Sequence, residues 1–193
     1  KAMAQSAMEV QKALKDINVI MNMSESALQN FGGALFDVAR DTASSFDDIS
    51  AAATEFARQG LSADETLQRI ADAMTLTRLS GMDSVEAVNA LTAAINGFND
   101  AAINSSDIVN RLANVDAAFA VSSKDLADGL ARAGATAQAA KVEFNELLAA
   151  VTSVQQQTAR GGAVIGNSFK SIFTRLQRSS VKEAMEAIGV ATQ

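Results

Sequence analysis

The chain has 193 residues and no His, Cys, Trp, Tyr or Pro, so zinc sites, thiol redox centres, disulfides and Ser-His-Asp or Cys-His arrangements cannot be assembled from it. A net charge of -6 gives no counterion-release drive toward a phosphate backbone, and nucleic acid is not an expected partner. The 48% hydrophobic content is rich in Ala, with nine Phe as the whole aromatic complement, which points to closely packed helices in one domain or two.

Compact folding of a chain this long buries roughly 70% of its unfolded surface. The lack of Cys suits a reducing compartment without proving one. No apolar run approaches the roughly 20 residues needed to cross a bilayer, and no charged segment leads into a short apolar stretch as in a secretory signal.

In chain order, the first predicted element is a long helix over residues 1–42. Met3, Ala7, Val10, Leu14, Ile17, Met21, Ser24, Leu28, Phe31, Leu35 and Val38 alternate in steps of four and three, an a/d heptad seam with Ser24 as its one polar position. Gly32 and Gly33 predict a kink or break, because each costs about 1 kcal/mol relative to Ala in a helix interior. Two readings of the seam stay open. It drives self-association into a homo-oligomer through Val10, Leu14, Ile17, Met21, Leu28 and Leu35, or it packs on the chain's own later helices.

From Phe46 onward shorter amphipathic units follow, and together they make up a second region, residues 46–190. Phe46, Ile49, Ala53 and Phe56 form a stripe that stops at Gly60, after which Leu61 can fold back. Ser62 and Glu65 have capping-box spacing, and Leu67, Ile70, Ala71 and Met74 form the next stripe. Gly81, Met82, Asp83 and Glu86 repeat the phrase, with Val85, Val88, Leu91, Ile95 and Phe98 as the expected buried face. Two such units are too few to claim a solenoid.

A loop is expected around residues 99–106, then a helix with Ile108, Leu112, Val115 and Phe119 on one face. Ser122 or Ser123 can cap a helix bearing Leu126 and Leu130, and a further helix carries Phe144, Leu147, Leu148, Val151 and Val154. That helix stops near Arg160, Gly161 and Gly162, and Ile165, Phe169, Ile172, Phe173 and Leu176 give the last clear stripe. The fold class is therefore all-α: a long N-terminal helix with coiled-coil heptads, then a bundle or array of antiparallel helical hairpins joined by short loops.

Charge is unevenly spread. Residues 1–158 carry 11 Lys or Arg against 20 Asp or Glu, whereas residues 159–193 carry 5 against 2. Arg160, Lys170, Arg175, Arg178 and Lys182 thus read either as a contact for an acidic partner or as a solvated helix face. The stripe over 163–177 also admits a membrane-surface reading, with core burial as the alternative, so membrane contact stays open.

The remaining route to catalysis is paired carboxylates: Asp47 with Asp48, Asp64 with Glu65, and Glu143 with Glu146. All three pairs fall at predicted helix starts, where acids are favoured by the macrodipole and by free backbone N–H groups. The cluster Gly161, Gly162 and Gly166 lacks the strand before it and the Lys-Ser/Thr pair after it that a phosphate loop requires, and it reads as a corner between helices. No catalytic residue, metal ligand or cofactor site is expected, and the chain is read as a non-enzyme.

At this corner a family resemblance becomes specific. ARGGAVIGNSFKSIFTRL, Ala159 to Leu176, resembles the glycine-containing corner and following helix near the end of the core region of phage tail tape measure proteins. ATEFARQGLSADETLQ, Ala53 to Gln68, resembles that family's helix, glycine and capped-helix opening, and AFAVSSKDLADGLARAGATAQAAKVEFNELLAAV, Ala118 to Val151, resembles the segment leading to the corner. The resemblance covers about residues 46–190. Ile165 departs from it, since many members have Ala there, and its bulk predicts a looser corner.

The resemblance implies a structural protein of a phage or prophage tail, assembled in the bacterial cytoplasm and lying in the lumen of the tail tube. It implies that the protein sets tail length and leaves through the tube at infection, with tail tube, tail assembly chaperone and baseplate proteins as partners. Because the chain opens at Lys1 and Glu186 to Gln193 reads as the start of a phrase cut short, it is expected to be a piece of a longer protein. The alternative is a helical oligomerisation or binding module of another secreted or surface protein.

Overall fold

The computed structural model describes residues 2–98 and 103–190. The side chain of Met3, residues 99–102 of the expected loop and residues 191–193 of the last phrase lie outside the described residues. Ten helices make up the described chain: α1 (Ala2–Met21), α2 (Glu25–Asp41), α3 (Phe46–Arg58), α4 (Ala63–Ser80), α5 (Ser84–Phe98), α6 (Ser105–Ala118), α7 (Ser123–Ala139), α8 (Phe144–Thr158), α9 (Gly162–Leu176) and α10 (Ser179–Ala187). No strand occurs among the described residues, in agreement with the all-α expectation. The chain divides into two compact units, Lys1–Asn89 and Ala90–Gln193, with the boundary inside α5.

In the first unit the expected single N-terminal helix is two helices. Asn22 takes a left-handed φ of 51°, a conformation in which Asn is enriched among non-glycine residues. The Asn18 side chain stabilises the turn from both sides, accepting from the Met23 N–H at 2.7 Å and donating to the Met23 carbonyl at 3.2 Å. Ser24, the polar position of the seam, caps α2 by accepting from the Ala27 N–H at 3.3 Å. A hydroxyl at that place begins the new helix because it satisfies a backbone donor that the helix leaves unpaired.

The break expected at Gly32 and Gly33 does not occur, and α2 runs through both. Gly32 is buried, and a Cβ there would stand 2.8 Å from Leu14 Cδ1. The glycine therefore admits the α1 side chain rather than weakening α2. Gly33 faces open space.

Helices α1 and α2 do not stand apart as a separate region: α1 packs on α3, and α2 on α3 and α4. The seam residues Ile17, Leu28, Phe31 and Leu35 join Ile49, Ala53 and Phe56 of α3 and Ile70, Ala73 and Met74 of α4 in the core of the unit. Phe36 stacks on Phe46 at a centroid distance of 4.4 Å. Arg78 donates to the Thr42 carbonyl at 2.9 Å, fastening α4 to the turn after α2.

Helix ends follow their local signals. Gly60 and Gly81 take φ of 85° and 69°, the left-handed region that costs glycine nothing. The Leu61 N–H returns to the Phe56 carbonyl at 3.2 Å. Ser62 and Glu65 form the expected capping box, and Asp83 accepts from the Glu86 N–H at 2.8 Å.

In the second unit α6 opens with a capping box of Asn104 and Asp107, a signal inside the expected loop. Ile108 and Leu112 are buried, but Phe119 is 48% exposed. It stands at the extended C-cap of α6, beyond the helical periodicity that placed it inward. Val121 is the buried residue there. Val85, in the portion of α5 belonging to the first unit, is likewise exposed rather than buried.

Phe98 meets Phe144 edge to face at 5.1 Å, and Arg111 lies over the Phe144 ring at 5.4 Å. Gly97 brings α5 onto α7, where an added Cβ would stand 3.1 Å from the Ala135 nitrogen. Helices α7 and α9 pair extensively.

Candidate functional site

The corner that the sequence singled out is built around a residue it did not. Ser122 caps α7 by accepting from the Asp125 N–H at 3.1 Å. That hydrogen bond places the Asp125 carboxylate at the start of α7, facing the end of α8 and the start of α9. Oδ1 accepts from the Gly162 N–H at 2.7 Å, and Oδ2 accepts from Gln155 Nε2 at 2.6 Å and from the Ser122 hydroxyl at 2.9 Å. One side chain thus gathers three helices. Hydrogen bonds to an ionised acceptor are roughly twice as strong as neutral ones.

Close approach explains two of the three glycines. A Cβ on Gly162 would stand 1.7 Å from the Asp125 carbonyl oxygen, and one on Gly166 would stand 2.8 Å from the Gly129 oxygen. Gly129 is in turn pressed against Val151, whose Cγ1 would lie 2.9 Å from an added Cβ. Gly161 is different: it is exposed, and the nearest atom to its added Cβ is Asp125 Oδ1 at 3.5 Å. The chain enters the corner through Ala159, which takes a left-handed φ of 51° at the end of α8.

The corner is tight, contrary to the looser packing expected of Ile165. That side chain is only 2% exposed and fills the core beside the glycine contacts. Asp125 already occupies the Gly162 N–H, so the N-terminus of α9 holds a protein carboxylate where a phosphate loop would hold its ligand.

All six seam residues are drawn into the first unit, to different depths. Ile17 and Leu35 are 0% exposed and Leu28 is 8% exposed, while Leu14 is half-buried against Gly32. Val10 and Met21 are also half-buried. An open groove remains between α1 and α2, lined by Gln11, Leu14, Lys15, Asn18, Leu28 and Gln29 among others. The seam is therefore chiefly an internal face of this unit.

The five cations of residues 159–193 do not converge on a pocket. Arg160 lies in the corner turn, Lys170 and Arg175 on α9, Arg178 at the N-cap of α10 and Lys182 within α10. Four are exposed and Lys182 is half-exposed. None of them takes part in an ion pair among the described residues. Along the α9 stripe Ile165 and Phe173 are buried, whereas Ile172 and Leu176 are 49% and 40% exposed. No helix among the described residues is long and apolar enough to cross a membrane.

The carboxylate pairs stand at the starts of α3, α4 and α8, where Asp48 accepts from Ser45, Glu65 from Ser62 and Glu146 from the Glu143 N–H. The hydrogen bond from the Ser62 hydroxyl, then that from the Ser62 N–H, holds the Glu65 carboxyl below its ordinary value. These contacts are capping contacts, each spanning three residues.

No solved structure matches the chain. The family model described as phage-related minor tail protein matches residues 33–193, which include α3 to α10, the Asp125 clasp and the glycine corner. With that span covering most of its length, the chain belongs to the phage-related minor tail protein family and is a structural component of a phage tail.

Proposed function

We propose that the chain is a segment of a tape measure protein, which sets tail length during assembly and is released through the tube at infection. The observation that supports this reading is that helix boundaries are closed by contacts local in sequence. Ser24, Ser45, Ser62, Asp83, Asn104 and Ser122 each cap a helix through a residue three positions on. Helices punctuated in this way can keep their ends when the tertiary packing is opened, as passage along a narrow tube demands. An extended array of them lengthens by at most about 1.5 Å per residue, so residue count becomes a measure of length.

The resemblance of Ala159–Leu176 to the tape measure corner adds the finer identity to the family membership. On this reading the segment lies in the tube lumen, meets tail tube, tail assembly chaperone and baseplate proteins, and carries no catalysis. In-frame deletion and duplication of residues 63–83 in the parent phage gene, with tail length measured by electron microscopy, tests it. The two changes are expected to shorten and lengthen the tail by up to roughly 30 Å each. Tails of unaltered length in both mutants refute the ruler reading. Incubation of the chain with peptidoglycan tests the non-enzyme reading, which reproducible hydrolysis would overturn.

A further inference from the structure

Two exposed surfaces of the molecule are opposite in charge and alike in carrying unburied apolar side chains. The first is on the consecutive helices α9 and α10. Ile172 and Leu176 are exposed, α10 buries no residue, and Ile188 at its C-cap is 78% exposed. Arg175, Arg178 and Lys182 accompany them without an ion-pair partner among the described residues.

The second surface is on α2 and α3. Phe36 is 47% exposed although it stacks on Phe46. Asp37 and Asp41 follow it on α2 with side chains 64% and 70% exposed, and Asp47 follows Phe46 at the exposed start of α3. Arg40 bridges Asp37 at 3.0 Å and Asp41 at 3.3 Å. One cation shared by two carboxylates leaves the patch acidic.

We propose that the α9–α10 surface of one molecule docks on the Phe36–Phe46 surface of a second copy of this chain. The occupant follows from charge: residues 159–193 carry 5 cations against 2 acids, and residues 1–158 carry 11 against 20. The complement that the basic surface requires is therefore present on every copy. An anionic membrane is a poorer occupant, because the chain as a whole carries -6, α10 presents Glu183 and Glu186 to solvent, and there is no Trp or Tyr to seat in an interface. Since the two surfaces differ, the contact is heterologous, unlike the two-fold contact that a shared heptad seam gives. The inference does not rest on the ruler reading.

Sedimentation of the full chain across concentration and salt, with a charge exchange, tests it. One variant carries Arg175→Glu, Arg178→Glu and Lys182→Glu, and the other carries Asp37→Lys and Asp47→Lys. Wild type is expected to grow in average mass with concentration at low salt and to weaken by about tenfold or more in high salt, as screening of exposed charge requires. Each variant alone is expected to be monomeric with wild-type helicity by circular dichroism, and an equimolar mixture to regain association. A wild-type chain that stays monomeric at low salt and high concentration overturns the proposal. So does association untouched by either variant, association abolished instead by Val19→Asp, a change at an exposed residue that also lines the α1–α2 groove, or a monomer that binds phosphatidylglycerol vesicles through the same cations.

Discussion

Gly162→Ala isolates the clasp that closes the second unit. The added Cβ falls 1.7 Å from the Asp125 carbonyl oxygen and 2.4 and 2.6 Å from its carbonyl carbon and Cα, all backbone atoms that no rotamer change can move. Helix α9 must retreat by roughly 1.5 Å or more, since comfortable non-bonded separations are about 3.5 Å. That movement breaks the 2.7 Å hydrogen bond from Gly162 to the Asp125 carboxylate, a bond to a charged group worth about 1.5 to 3 kcal/mol. It also loosens Ile165 and Phe173, which are 2% and 9% exposed and stand to lose part of the roughly 1.5 to 3 kcal/mol that full burial of such a side chain contributes. Alanine returns at most about 1 kcal/mol of helix propensity. The expected net loss is about 3 kcal/mol, read as a lower urea midpoint of the second unit's transition with little change in slope. Gly161→Ala is the control: its Cβ meets nothing closer than 3.5 Å at a φ of -64°, and its stability should stay within about 0.5 kcal/mol of wild type. A Gly162→Ala chain within 1 kcal/mol of wild type, on the order of one measurement's resolving power, refutes the close-approach argument.

The adjacent glycines of α2 should part company in the same assay: Gly33→Ala stabilises by about 0.5 to 1 kcal/mol, whereas Gly32→Ala destabilises modestly because Leu14 Cδ1 stands 2.8 Å from the new methyl. Leu14→Asp with Ile17→Asp should unfold the first unit rather than yield a folded monomer, because Ile17 is 0% exposed. Circular dichroism beside sedimentation equilibrium checks this, and retention of full helicity contradicts the internal placement of the seam. The Glu65 carboxyl, lowered by the Ser62 hydroxyl and backbone N–H, contributes stability that is present above its unfolded value and lost as pH falls through the lowered folded value. Glu65→Gln should flatten that acid limb, and a carboxyl titrating at the ordinary value by NMR would contradict the capping box.

What could be read in the amino-acid order alone was whatever is settled within a helical turn or two. The caps at Ser62, Asp83 and Ser122 and the left-handed stops at Gly60 and Gly81 depend on partners three to five residues away. Such signals, together with stripes of 3.6-residue period, are local and mutually consistent, so the all-helical class and most helix boundaries were legible. Asn104 was within reach by the same logic, because Asp107 three residues on completes its box.

The rest was decided by residues far apart in sequence. Periodicity ranked Ser24 as a tolerable lapse in a continuous seam, but packing of α1 on α3 and of α2 on α3 and α4 made two helices bury more than one straight helix can present to a compact unit. Composition marked Gly32 and Gly33 alike, and only the position of Leu14 separates a required glycine from an indifferent one. Asp125 looked like an ordinary capping partner of Ser122; its bond to Gly162, 37 residues onward, exists because α9 returns across α7. Hydrogen bonds and close contacts of this kind carry no signature in either segment, since each contact exists only when the tertiary fold brings the two backbones together.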